Sequence, residues 1–148
     1  MEKFSEIAYV RPDMRALAEE MKTRINELRN AKSYESARSA YLALENVDTD
    51  ANTMSTIAHI RSTVNTADPF YEAETRYLHE ERSRMMPLYR EANQASLESP
   101  FRKEFEAEFG SYLFHNLEDQ NRLLDPAIIE HKIQENEWVQ KYQKTTAL

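Results

Sequence analysis

The chain has 148 residues, a net charge of -7, no cysteine and a single glycine. One glycine leaves little material for hairpins, bulges or phosphate-cradling loops, each of which needs positive φ somewhere. The missing cysteines exclude a disulfide framework, thiolate catalysis and Cys-ligated zinc. The acid excess argues against nucleic acid and against an anionic membrane surface, since both recruit surplus Lys and Arg. The length suits one domain with a real core. Strong helix formers dominate, and the expectation is an all-α fold.

No apolar run approaches the ~20 residues that span a bilayer. The opening MEKFSEIAYVRPDM has no basic region followed by an apolar one, so no signal peptide is expected. A cytoplasmic location is the default expectation.

In chain order, residues 4–11 alternate weakly and stop at Pro12, which disfavours helix before it. They form an expected extended lead-in, with Phe4, Ile7 and Tyr9 packing on the bundle. Asp13 is placed to cap a first helix whose buried stripe is Met14, Leu17, Met21, Ile25 and Leu28. Glu20 and Arg24 make an i,i+4 pair on its wet side. Ser33 caps a second helix with Ala37, Ala40, Tyr41, Leu44 and Val47 inward. After a break at 47–50, a third helix is expected over 51–66, burying Met54, Ile57, Ala58, Ile60 and Val64. Its length would be roughly 24 Å.

Asp68-Pro69 is the sharpest boundary, a capping carboxylate followed by a proline that suits the first turn. The fourth helix is expected to turn Phe70, Ala73, Tyr77 and Leu78 inward and to pair Glu72 with Arg76 and Glu80 with Arg84 outside. Pro87 must break or kink it, with a fifth helix over 86–97 carrying Leu88, Tyr89, Ala92 and Ala95. Ser99-Pro100 repeats the cap-then-proline pattern before a short sixth helix with Phe101, Phe105 and Phe109. Gly110 stands where a left-handed residue would close it. A seventh helix holds Tyr112, Leu113, Leu117 and Leu124. Asp125-Pro126 starts an eighth with Ile128, Ile129, Ile133, Trp138 and Tyr142. The architecture is a bundle of about seven or eight helices, one helical domain over 1–148.

Reactive constellations are missing from the pattern. His79-Glu80-Glu81-Arg82-Ser83 fails the zinc motif His-Glu-x-x-His at its last position. The residues three before each histidine are Thr56, Arg76, Tyr112 and Ile128, none acidic, so the Glu-x-x-His ligation of di-iron bundles fails too. No serine lies in a Gly-x-Ser-x-Gly setting, and one glycine rules out a P-loop or dinucleotide fingerprint. No catalytic residue, metal ligand or cofactor is assigned to this chain. Neighbouring carboxylates such as Glu80-Glu81 and Glu106/Glu108 read as a solvated face. The Phe101/Phe105/Phe109 stripe reads as core packing in preference to a peptide groove, because exposed it would be a sticky patch. Arg61 has two readings: an exposed side chain, or a guanidinium pairing with Glu72 or Glu74 across the corner between helices three and four.

The segment around Arg61, MSTIAHIRSTVNTADPFYEAE, resembles one in the amino-terminal helical region of oligoendopeptidase F-like zinc peptidases, relatives of thimet oligopeptidase. The residues concerned are Ile60-Arg61, Thr66, Asp68 and Phe70-Tyr71-Glu72-Ala73-Glu74. Phe4-Ser5-Glu6 through Tyr9-Val10-Arg11-Pro12-Asp13, and Ser99-Pro100-Phe101-Arg102 leading to Phe109-Gly110, look like the same family. The likeness runs along essentially the whole chain. It implies an amino-terminal fragment of a larger metallopeptidase, forming part of the wall over a deep cleft that admits unfolded oligopeptides. It also implies zinc and the general base elsewhere, in a catalytic domain that is this region's partner. No zinc ligand can be carried over, since nothing here matches the zinc motif, and no peptidase activity is expected of the chain alone. The alternative reading is a stand-alone helical interaction module binding a partner helix in a groove. A severed domain would expose an apolar patch, with Trp138 and Tyr142 at its edge.

Overall fold

A computed structural model of the chain describes residues 4–123 and 129–146. The fold is all-α, with no strand among the described residues. A 3-10 turn, Phe4–Glu6, opens it. The helices are α1 (Met14–Arg29), α2 (Tyr34–Asn46), α3 (Thr49–Val64), α4 (Pro69–Arg84), α5 (Met86–Leu97), α6 (Arg102–Phe109), α7 (Tyr112–Leu123) and α8 (Ile129–Thr146). No helix among the described residues is long and apolar enough to cross a membrane.

α1 is the spine. All five residues of its expected stripe are buried, but they serve two cores. Ile25 and Leu28 join Ala37, Ala40, Tyr41 and Leu44 of α2, Ala92 and Ala95 of α5, Phe105 of α6 and Phe114 of α7. Met14, Leu17 and Met21 instead meet Ala51 and Ala58 of α3, Leu78 of α4 and Met85. A single continuous stripe along α1 therefore ties an α2/α5/α6/α7 half to an α3/α4 half. α8 lies against α4.

The boundaries follow local chemistry. Asp13 accepts from the amides of Arg15 and Ala16, Ser33 and Ser36 form a reciprocal capping box, and Asp68 accepts from Phe70 N–H. Each satisfies backbone donors that the first turn leaves open. Pro87 sits in the first turn of α5, after a break at Met85, where its missing N–H is harmless. The pairs Glu20–Arg24, Glu72–Arg76 and Glu80–Arg84 all form on the outside.

Several expectations are corrected. α3 starts at Thr49 and ends at Val64, two residues early at both ends. Ile60 and Val64 are exposed, Val64 to 82%. One turn beyond the buried pair Ile57 and Ala58 come Arg61 and Ser62, so the inward face turns polar and the later aliphatics fall opposite it. On α4 the inward positions are Glu74, Thr75, Leu78 and Ser83; Ala73 and Phe70 are exposed. Phe70 is still edge-on to Tyr71 and Tyr9, with ring centroids 4.9 and 6.1 Å away. On α7 the buried pair is Phe114 and Leu117, three apart, which leaves Tyr112 off-phase and in solvent.

Pro100 lies in the turn before α6, not in its first turn. Phe101 occupies the cap position, with its amide donating to Ser99 Oγ at 3.3 Å. The phenylalanine stripe is core at Phe105, half-buried at Phe101, and exposed at Phe109, whose ring stacks on Phe105. Gly110 has positive φ as expected, but with ψ 152 it is extended, not left-handed helical. Leu124, Asp125-Pro126, Ile128 and the side chain of Ile129 lie outside the described residues.

Candidate functional site

The densest polar constellation joins the lead-in to the α3/α4 corner. Glu74 is 1% exposed on the inward face of α4. Its carboxylate accepts from the Tyr9 hydroxyl at 2.7 Å and from Arg11 Nε at 2.9 Å, and Arg11 Nη2 closes on the second oxygen. The bidentate Arg11 contact holds the Glu74 carboxyl below its ordinary range despite burial, and Tyr9 adds to the effect. Burial, with the Glu74 hydrogen bond behind it, pushes the Tyr9 hydroxyl up, so it remains a donor. The Arg11 guanidinium also lies 4.7 Å over the Tyr77 ring.

Arg61 fits neither of its two sequence readings. It is half-buried, and it pairs with neither Glu72 nor Glu74. It donates instead to the backbone carbonyls of Ile7 at 2.6 Å and Phe4 at 3.3 Å, and to the Tyr71 hydroxyl at 2.6 Å. The rings of Phe4 and Tyr71 flank it. Arg61 and Glu74 therefore clamp the lead-in at its two ends: one by its carbonyls, the other by the side chains of Tyr9 and Arg11. Carbonyls of an irregular segment need donors, and a five-donor guanidinium supplies them.

A second node was not legible in the sequence. Asp48, at the start of α3, does not cap that helix. Its two oxygens accept from Arg82 at 2.8 and 3.1 Å, and Oδ2 also accepts from the Tyr89 hydroxyl at 2.8 Å. Burial first, then the Asp48 charge, push the Tyr89 hydroxyl up. The node pins α3, α4 and α5 where the two cores meet.

The fold brings His59 of α3 and His79 of α4 to 6.4 Å between ring centroids, a pairing across helices that no single-helix motif could reveal. Burial, then the neighbouring His59 and Arg82, draw the His79 imidazole below its ordinary value. Among the described residues no group of three or more His, Asp and Glu converges as metal ligands. The hydroxyls of Ser62, Ser83 and Ser96 donate to the carbonyls of their own helices. This chemistry anchors and positions; the Glu74 carboxylate is held charged by Arg11 and is a poor proton carrier. A cavity of about 270 Å³ opens between the end of α3, the start of α4 and the end of α8, walled by Ser62, Thr66, Glu72, Gln140 and Lys144. Glu72 there is tied to Arg76 and Lys144.

The clamp residues Arg61, Tyr71 and Glu74 all fall within the segment that carries the family likeness. Residues 4–124 match the family model described as the peptidase M3 N-terminal domain. Among solved structures, the chain is 31% identical to an oligoendopeptidase F, with a TM-score of 0.91 over 96% of this chain and 25% of that one. It is 29% identical to PZ peptidase A solved with an inhibitor, TM-score 0.90, over 95% of this chain and 25% of that one. It is 26% identical to an oligoendopeptidase F from Bacillus anthracis str. Ames, TM-score 0.90, over 96% and 26%. A comparison with curated proteins gives no match. The chain spans about a quarter of the length of the solved structures it matches. With the family match running from Phe4 to just past the end of α7, the chain belongs to the peptidase M3 N-terminal domain family.

Proposed function

We propose that this chain is the amino-terminal helical domain of a zinc-dependent oligoendopeptidase, and that it forms part of the wall of the cleft in which oligopeptides are cleaved. The observation that carries the reading is the likeness, at 31% identity and a TM-score of 0.91, to one quarter of an oligoendopeptidase F. The domain's partners are the catalytic part of the same protein and the oligopeptide in the cleft. Zinc belongs to the catalytic part, where it supplies Lewis-acid activation. The described residues of this chain do not fit a zinc ion, because no three ligand-type side chains converge.

The domain's contribution is steric. Two polar nodes and two cores make a rigid wall, and a rigid wall discriminates between a short flexible peptide and a folded protein. Incubated with a quenched fluorogenic oligopeptide, the purified chain cleaves nothing, with or without added zinc, while the complete enzyme turns the peptide over. The reading frame that continues from this chain encodes His-Glu-x-x-His. Cleavage by the chain alone that a chelator abolishes, or a frame without that motif, contradicts the proposal.

A further inference from the structure

α8 packs with the wrong face inward for a surface helix. Its contacts with α4 fall at three- and four-residue spacing, and most are polar. Asn136 Nδ2 donates to Ser83 Oγ at 3.5 Å, Gln140 Nε2 to the Glu72 carbonyl at 3.3 Å, and Lys144 Nζ to the Glu72 carboxylate at 3.0 Å. Ile133 is a half-buried apolar residue on this face. The opposite side carries Trp138, Val139 and Tyr142, at 73%, 48% and 70% exposure. A helix that rests on its own fold ordinarily does the reverse, apolar stripe in and polar stripe out. Single exposed apolar residues need no explanation. A Trp and a Tyr one turn apart, on a helix whose inner contacts are polar, are the residue types that fill the centres of protein interfaces.

The extent of the matches bears on the occupant of this face. The family match stops at residue 124, before α8. The structural likeness covers 96% of the chain, which leaves too few residues unmatched to exclude the 18-residue α8. In those relatives about three-quarters of the chain lies outside this unit. A second copy is the poorer occupant, because each copy carries a charge of -7 and like charge keeps chains apart.

We propose that the outer face of α8 is the docking surface for the catalytic part of the peptidase, with Trp138 and Tyr142 as its anchors. The proposal rests on the functional reading above and adds the surface to it. The absence of cysteine makes the test clean on this domain. Tyr142→Cys, Val139→Cys and a control, Ser39→Cys on the exposed side of α2, are introduced one at a time into the complete enzyme and into this chain alone. Maleimide labelling is followed by mass spectrometry of the peptide that carries the new thiol. Cleavage of a short peptide verifies that each complete enzyme is folded.

In the complete enzyme, positions 142 and 139 label at least about tenfold more slowly than in the chain alone, as expected for a desolvated contact, while position 39 is unchanged. Labelling at the free-chain rate in an active complete enzyme overturns this proposal and leaves the functional reading standing. Protection in the chain alone that grows with its concentration assigns the face to a second copy and also overturns it. A reading frame without a catalytic part removes the functional reading, and this proposal with it.

Discussion

Glu74 and Arg61 act on the lead-in from opposite directions, and their replacements separate the two effects. Glu74→Gln keeps the shape and removes the charge on which Arg11 and Tyr9 converge. It should cost about 1.5–3 kcal/mol, the range for a hydrogen bond to a charged group, read from the urea midpoint. Arg61→Met leaves that carboxylate intact but strips the donors from the Phe4 and Ile7 carbonyls. Limited proteolysis should then cut within residues 4–10 sooner, with far-UV circular dichroism unchanged. Unchanged cleavage would show that the clamp is ornamental.

Two titrations follow with definite signs. The folded Glu74 carboxyl lies below its ordinary 4.5, so its contribution is complete above that pH and is lost as pH falls through the folded value. The folded His79 imidazole lies below 6.5. The unfolded chain therefore takes up a proton there before the folded chain does, and stability declines as pH falls from about 7. His79→Gln should flatten that upper decline in urea midpoints measured across pH, and leave the acid limb. At this scale the caps at Asp13, Ser33 and Asp68 were legible, because a cap closes within three residues of itself. The carbonyl partners of Arg61 were not: they lie 54 and 57 residues away in sequence, and two nearer carboxylates made a plausible decoy. Asp48–Arg82, 34 residues apart, left no local trace at all.

Among the elements, α1 shows what periodicity reads well and α4 what it misses. Every inward position of α1 is apolar, so the stripe announces itself. The inward face of α4 carries Glu74, Thr75 and Ser83 beside one leucine. A rule that sends apolar residues inward then assigns the face to Phe70 and Ala73 instead. α7 fails by phase: Tyr112, Leu113 and Phe114 are consecutive, and only contact with Phe105 and Tyr41 in the first core selects Phe114. The junction between α6 and α7 depends on Gly110, at φ 87 and ψ 152, a backbone region that glycine alone occupies comfortably. A Cβ built there meets nothing within 4 Å, so Gly110→Ala isolates backbone strain from crowding. The expected loss is about 1–3 kcal/mol, checked by thermal unfolding. A neutral substitution would mean that the turn relaxes freely.

As a whole, the molecule is a two-core bundle threaded by α1, braced at its N-terminal segment and at the Asp48 node, with α8 laid on α4 by polar contacts. On the proposed reading, this bundle governs which substrates reach a centre held elsewhere in the protein. The most direct measurement is substrate-size discrimination: the ratio of kcat/KM for a short oligopeptide to that for a folded protein, in the complete enzyme and in a form lacking residues 1–148. Retained cleavage of the short peptide verifies that the shortened enzyme is folded. The ratio should collapse toward one when the domain is removed. A shortened enzyme that still cleaves the short peptide and discriminates as sharply as the complete one would contradict the account.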